Sequence, residues 1–230
     1  MDRFDCAIDL LEGIGCNRNI EAGISSLEEL AYDGNVEAQF CLARFYWSGQ
    51  YVGEDNGKTI FWYTKAAENG HPFSRLWLGN NYMNGTKTDV DYEKAAYWYQ
   101  KAIETDVAMA YYNLGLCYLY GLGVRKDEKK GEQLITAAAE KYILIADLTL
   151  LEDKRSDLES YEADLRSLAE KYEPLIGEDK EITIQYADAC RKGYGVPKDT
   201  AQAYKLYSMP ILDRDDTALL YRKRMKEGRW

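Results

Sequence analysis

Apolar residues recur along this chain at the spacing of helix faces, and the same faces return at a fixed interval. Within residues 37–72, Ala38, Leu42, Phe45 and Tyr46 share one stripe, and Ile60, Tyr63 and Ala67 share another. Steps of three and four residues of this kind predict two amphipathic α-helices. The next segments repeat the arrangement with Leu78 and Tyr82, then with Leu114 and Tyr118. Between Phe73 and Tyr142 one pattern is written twice: Leu78-Gly79 returns as Leu114-Gly115, Gly85 as Gly121, Asp91 as Asp127 and Ala102 as Ala138, each pair 36 residues apart. That period is too short for a domain and long enough for two helices, which predicts a repeat array.

The polar punctuation keeps the same step. Gly85 and Gly121 extend backwards to Gly49 and Gly13 and forwards, past Asp157 in the one slot that breaks, to Gly193. Glycine suits a helix end that closes in a left-handed residue, where another side chain costs roughly 1–2 kcal/mol. A helix start follows each stop at Asn19, Asp55, Asp91, Asp127 and Asp199, with Ala163 in the broken slot. Asp and Asn serve there because the side-chain oxygen accepts from an orphan amide of the first turn. Small residues recur where paired helices must approach: Ala43, Gly79 and Gly115 on first helices, and Ala66, Ala102 and Ala138 on second ones. Asp33-Gly34-Asn35 and Asn69-Gly70-His71-Pro72 read as the turns between units, with His71 expected as a polar surface residue.

The expected fold class is all-α: an α/α superhelix, or solenoid, of about six 36-residue antiparallel helix pairs with a C-terminal capping helix. It reads as a single repeat domain over 1–230, with a weak first repeat at 1–36, clear repeats at 37–72, 73–108 and 109–144, a divergent acidic repeat at 145–180, a repeat at 181–216 and the capping helix at 217–230. Leu219, Leu220 and Trp230 are the residues expected to cover the last apolar face. The divergent slot lacks both the stop glycine and the Asp cap. In their place Ser156-Asp157-Leu158-Glu159 forms a capping box whose helix can run to Tyr172 before Pro174. This is either a drifted repeat or a specialised insert that alters curvature or meets a partner.

Charge narrows the partners. A net charge of -10 repels phosphate backbones and anionic lipid, so nucleic acid and membrane surfaces are not expected. The distribution is uneven: residues 142–181 carry twelve acids against five bases, whereas Arg222, Lys223, Arg224, Lys226 and Arg229 crowd the end of the chain. An acidic body of this kind favours a basic partner. The start at Met1-Asp2-Arg3-Phe4 lacks the basic region and apolar core of a signal peptide, and no run reaches the length of a membrane span, so a soluble cytoplasmic protein is expected. Five cysteines without a common spacing fit reduced thiols better than a disulfide framework.

Chemistry finds little to stand on. His71 is the single histidine, which removes most metal and nucleophilic sites, and no Walker loop or dinucleotide-binding glycine motif is present. Catalytic, cofactor-binding and metal-ligating residues are therefore expected to be none. Most of the 20 tyrosines fall in the repeating stripe, where core packing accounts for them.

The combined motifs resemble the Sel-one-like repeat family, relatives of the tetratricopeptide repeats. The resemblance is carried by Phe61-Trp62-Tyr63-Thr64-Lys65-Ala66-Ala67, by Tyr97-Trp98-Tyr99-Gln100-Lys101-Ala102, by Gly121-Leu122-Gly123-Val124-Arg125-Lys126-Asp127 and by Gly193-Tyr194-Gly195-Val196-Pro197-Lys198-Asp199. It implies a right-handed superhelix with first helices lining the concave side. Secreted members resembling drug-hydrolysing or penicillin-binding proteins carry paired cysteines in each unit; this chain has no such pairs, and that activity is not transferred.

The function expected is a non-enzymatic protein-protein interaction module, an adaptor or scaffold, binding a partner protein in the concave groove. By the resemblance that face carries Arg44, Trp47 and Ser48, then Asn80, Met83 and Asn84, then Leu116, Leu119 and Tyr120, with Asp188 and Arg191 further on. These positions differ between units while the stripe does not, which suggests that local packing does not dictate them. The alternative reading is an immunity-type inhibitor that neutralises a toxin or basic enzyme.

Overall fold

Helix follows helix in the computed structural model, which describes residues 2–141, 143, 146–147, 149–150, 167–168, 171–192, 198–212, 215, 218 and 222–223. The expected stop at Gly193, the capping box at 156–159, and Leu219, Leu220 and Trp230 of the expected capping helix lie outside the described residues. Contacts divide the chain into two units, Met1–Asp127 and Glu128–Trp230.

The first unit holds α1 (Arg3–Glu12), α2 (Ile20–Tyr32), α3 (Val36–Ser48), α4 (Asn56–Glu68), α5 (Pro72–Asn84), α6 (Tyr92–Ile103) and α7 (Ala108–Tyr120). Their ends follow the punctuation. Asn19, Asp55 and Asp91 accept from the third amide beyond them, and Gly13, Gly49, Gly85 and Gly121 close α1, α3, α5 and α7 in left-handed conformation at φ 77°, 71°, 65° and 69°. One further bond makes the helix pair a closed unit. The cap residue's own amide donates back to the preceding first helix: Asn19 to Leu10, Asp55 to Tyr46, Asp91 to Tyr82 and Asp127 to Tyr118, at 2.8–3.0 Å. The turn from one pair to the next is equally periodic, with Asn35 donating to the Leu30 carbonyl, His71 to Ala66 and Val107 to Ala102.

Packing follows the stripe. Leu42, Leu78 and Leu114 are buried at equivalent positions, as are Ala66 and Ala102, and Ala38, Trp62 and Tyr63 join Leu11 and Leu27 in the core. Gln39 and Arg75, one repeat apart, tie neighbouring helices together. Gln39 donates to the Ala31 carbonyl at 2.8 Å; Arg75 donates through Nε to Ala67 at 3.0 Å and through Nη1 to Lys101 at 2.9 Å. These acceptors are last-turn carbonyls of α2, α4 and α6, groups a helix leaves without an internal partner.

His71 corrects an expectation. It is buried, and it does for α5 what Asn35 does for α3: its Nδ1 accepts from the Ser74 amide at 3.1 Å, as Asn35 Oδ1 accepts from Ala38 at 2.9 Å. Its ring stacks on Phe40 with centroids 4.1 Å apart. At the start of an isolated helix pair this turn would face water, but here the Phe40 ring of α3, in the preceding pair, covers it.

The second unit contains α8 (Glu128–Glu140), α9 (Lys180–Lys192) and α10 (Thr200–Tyr207), with single turns of 3-10 helix at Glu173–Leu175 and Pro210–Leu212. The pair α9–α10 regains the repeat geometry: Asp199 caps α10 by accepting from Gln202, and its amide donates to Cys190 at 2.9 Å. Ala187, Cys190, Ala203, Leu206, Tyr207, Leu212 and Ala218 form its core. The divergent segment is held differently. Asp147 accepts from Lys171 Nζ and from the hydroxyl of fully buried Tyr172, each at 2.6 Å, and Lys171 also donates to the Ala139 carbonyl.

Candidate functional site

First helices in the first unit present two sorts of position. One sort is buried and keeps its size from repeat to repeat, as Ala38, Ser74 and Ala110 do, or Ala43, Gly79 and Gly115. The other remains accessible and changes. Arg44 and Ser48 are exposed and Trp47 is 39% exposed on α3; on α5 Met83 is half-buried and Asn84 exposed; on α7 Leu116 and Leu119 are half-buried and Tyr120 is 67% exposed. The guanidinium of Arg44 lies 5.8 Å from the Phe40 ring centroid.

Packing nevertheless dictates two of the expected binding residues. Asn80 is half-buried, and its Oδ1 accepts from the hydroxyl of Tyr99 at 2.9 Å and from Nδ2 of Asn113 at 3.0 Å. Three repeats further on, in the second unit, Asp188 Oδ1 accepts from the Tyr207 hydroxyl at 2.5 Å and from Arg191 Nε and Nη2 at 3.1 and 3.0 Å. Asn80–Tyr99 and Asp188–Tyr207 occupy equivalent positions, so one first-helix residue satisfies the phenol of a buried second-helix tyrosine in both. Burial raises both phenols well above their ordinary pKa. They therefore act as neutral donors across the physiological range.

Sequence reasoning passed over Phe40, Phe73, Trp77 and Asn113, which belong to the same helices. Phe73 is 65% exposed; Trp77 stacks on Tyr63 with centroids 3.8 Å apart, and Phe40 meets Tyr63 edge-on at 6.1 Å. A signal was available in the changing registers Glu37/Phe73/Met109, Phe40/Leu76/Tyr112 and Cys41/Trp77/Asn113. The result is an aromatic surface with few charges, broken by the Asn80–Asn113 pair.

Among the described residues no group of three or more His, Cys, Asp or Glu side chains could hold a metal ion, and no helix is long and apolar enough to cross a membrane. Burial pushes the Cys41 and Cys117 thiols up to about 11, so both remain protonated and weakly nucleophilic near neutral pH.

The Sel1 repeat family model matches residues 36–71, 72–104, 108–142 and 184–209, leaving the divergent segment outside. Among solved structures, a protective antigen of uropathogenic Escherichia coli displaying an SLR fold is 21% identical, with a TM-score of 0.64 over 98% of this chain and 49% of that one. The present chain therefore spans about half the length of that protein. A Sel1 repeat protein from Oxalobacter formigenes is 25% identical, with a TM-score of 0.55 over 97% of this chain and 74% of that one. These likenesses show the all-α superhelical repeat fold. No curated protein matches the chain.

Proposed function

The chain belongs to the Sel1 repeat family, and from that premise we propose that it is a non-enzymatic interaction module whose first-helix faces bind a segment of a partner protein. Sel1 repeat proteins are in general protein-interaction modules. The observation that carries the reading here is the division within α3, α5 and α7 between buried positions that keep their size and accessible positions that change. Selection for packing alone explains the first set and leaves the second unexplained. Arg44, Trp47 and Tyr120 are the accessible residues of the types that dominate binding energy in interfaces. The net charge of -10 favours a basic partner, whose association would slow as salt is added.

The test is affinity capture with the immobilised chain, followed by titration of the purified partner against Arg44→Ala, Trp47→Ala and Tyr120→Ala. At least one substitution should weaken binding by about 1–2 kcal/mol while leaving the melting temperature close to that of the parent. Unchanged affinity in all three, with loss on replacing the exposed second-helix residues Phe61 and Tyr97, would move the interface to the other side of the helix pairs.

A further inference from the structure

We propose that Trp62, with Tyr32 and Phe61 beside it, forms a docking surface for a proline-rich segment in polyproline II conformation, on the second helices and so independent of the first-helix faces. The geometry begins with the burial of Trp62 on α4. Its side chain is 3% exposed and belongs to the core cluster of the first unit, so packing fixes the ring. An indole nitrogen donates and cannot accept, and that of Trp62 meets no acceptor among the described residues. The one buried side-chain nitrogen or oxygen without a partner among those residues is Asn81 Oδ1. The small accessible part of Trp62 therefore includes its N–H, a rigidly held donor open to solvent. Two rings frame it. Tyr32, the last residue of α2, and Phe61 each lie edge-on to Trp62 with centroids 4.9 Å apart, and they are 72% and 44% exposed. One repeat further on, Trp98 and Tyr97 restate half of the arrangement: Trp98 is half-buried, its N–H also lacks a partner among the described residues, and Tyr97, 54% exposed, lies edge-on to it at 5.1 Å. Glu68 takes the register of Tyr32 there.

A surface of aromatic faces and indole donors is complementary to a ligand of apolar groups and acceptors. Proline supplies that combination, because its ring is apolar and its backbone keeps the carbonyl without an N–H. A run of prolines in polyproline II conformation makes no internal hydrogen bonds, so its carbonyls are available, and it is ordered before it binds. An ordinary extended strand brings an N–H with each carbonyl, and the indoles have no lone pair to receive it. The spacing also fits: one turn of the polyproline helix takes three residues and about 9 Å, close to the roughly 8–10 Å between packed helices. Prolines three apart can thus reach Trp62 and then Trp98. Charge points the same way. Lys65 and Lys101, one turn beyond the aromatic pairs, are engaged by Glu68 and Glu104 at 3.5 and 2.8 Å, which leaves the aromatic surface locally neutral on a chain of net charge -10. An anionic ligand would be repelled by that acidic body, whereas a proline-rich segment needs no charge of its own.

The test titrates decaproline into the full, isotope-labelled chain and follows the indole N–H resonances of its five tryptophans, that of Trp62 being assigned with Trp62→Phe. The Trp62 resonance should move and saturate at up to about millimolar peptide, that of Trp98 should follow, and those of Trp47 and Trp77 should stay. A Gly-Ser peptide of equal length should move none of them. Tyr32→Ala and Phe61→Ala, both at exposed positions, should each weaken decaproline about fivefold to tenfold with the melting temperature close to that of the parent. Trp62→Phe keeps a ring and removes the donor, and should weaken it about fivefold in the folded chain. A Trp62 resonance that does not move, or that moves equally with the Gly-Ser peptide, would overturn the proposal. So would movement of Trp47 and Trp77 alone, which would place the peptide on the first helices and leave the proposed function standing. If cellohexaose moves Trp62 and decaproline does not, the aromatic surface is a glycan platform and the proline reading is wrong.

Discussion

Tyr99 lies so close against Gly79 that a Cβ placed on Gly79 would sit 2.5 Å from Cδ1 and Cε1 of the ring. Alanine in a helix interior normally improves stability by about 1 kcal/mol over glycine. Here overpacking, at about 1–3 kcal/mol, opposes and exceeds it. Gly79→Ala should therefore shift the urea midpoint downwards, and adding Tyr99→Leu should recover part of the loss relative to Tyr99→Leu alone. Additive effects of the two substitutions would show that the contact is not the cause.

Gly85 and Gly121 make a graded comparison. Both are left-handed, but a Cβ on Gly85 would come 2.8 Å from Val90 Cγ2, whereas one on Gly121 would be 3.4 Å from Lys126 Cβ. Gly121→Ala should cost about 1–2 kcal/mol for its conformation alone, and Gly85→Ala more. Chemical denaturation of both variants checks the order.

Tyr51 reverses an ordinary preference. It stands at φ 67°, a conformation rare for a bulky residue, and is held there by an edge-on contact with Phe45 at 4.9 Å and by the Arg18 guanidinium at 5.8 Å from its ring centroid. Tyr51→Gly loses the contacts and relieves the backbone; Tyr51→Ala loses the contacts and keeps the strain. The glycine variant should be the more stable by about 1 kcal/mol, measured by thermal melting. Equal melting would argue that the loop rearranges.

His71 predicts a pH dependence. Capping α5 requires an unprotonated Nδ1, and burial holds the pKa below its ordinary value of 6.5. A lowered folded pKa means that the unfolded chain takes up the proton first. The stability contributed is therefore complete above the unfolded value, and it declines as the pH falls below 6.5 and on through the folded value. His71→Asn copies the Asn35 cap and removes the titration. Its denaturation midpoint should gain on that of the parent as the pH is lowered from about 7.5 to about 5.5, since the carboxylates are common to both. Parallel curves would sink the assignment.

The sequence by itself determined the repeat, the helix pairs and their ends, because these are local requirements. A left-handed stop asks for glycine at Gly49, Gly85 and Gly121, and an orphan first-turn amide asks for an oxygen at Asn19, Asp55 and Asp91, whatever surrounds them. The buried stripe was legible for the same reason, since the period of a helix and the period of the array are both written along the chain. Only the tertiary structure decided what the remaining residues do. That Asn80 holds Tyr99 and Asn113, that His71 is buried against Phe40, and that Tyr51 takes a glycine's conformation all depend on groups between 6 and 33 residues away. A change of residue at a repeated position signals freedom from packing when the neighbours stay the same. At Asn80 and Asp188 the buried tyrosine's need for an acceptor sets the residue's chemistry, and that need becomes visible only once α5 lies against α6, and α9 against α10.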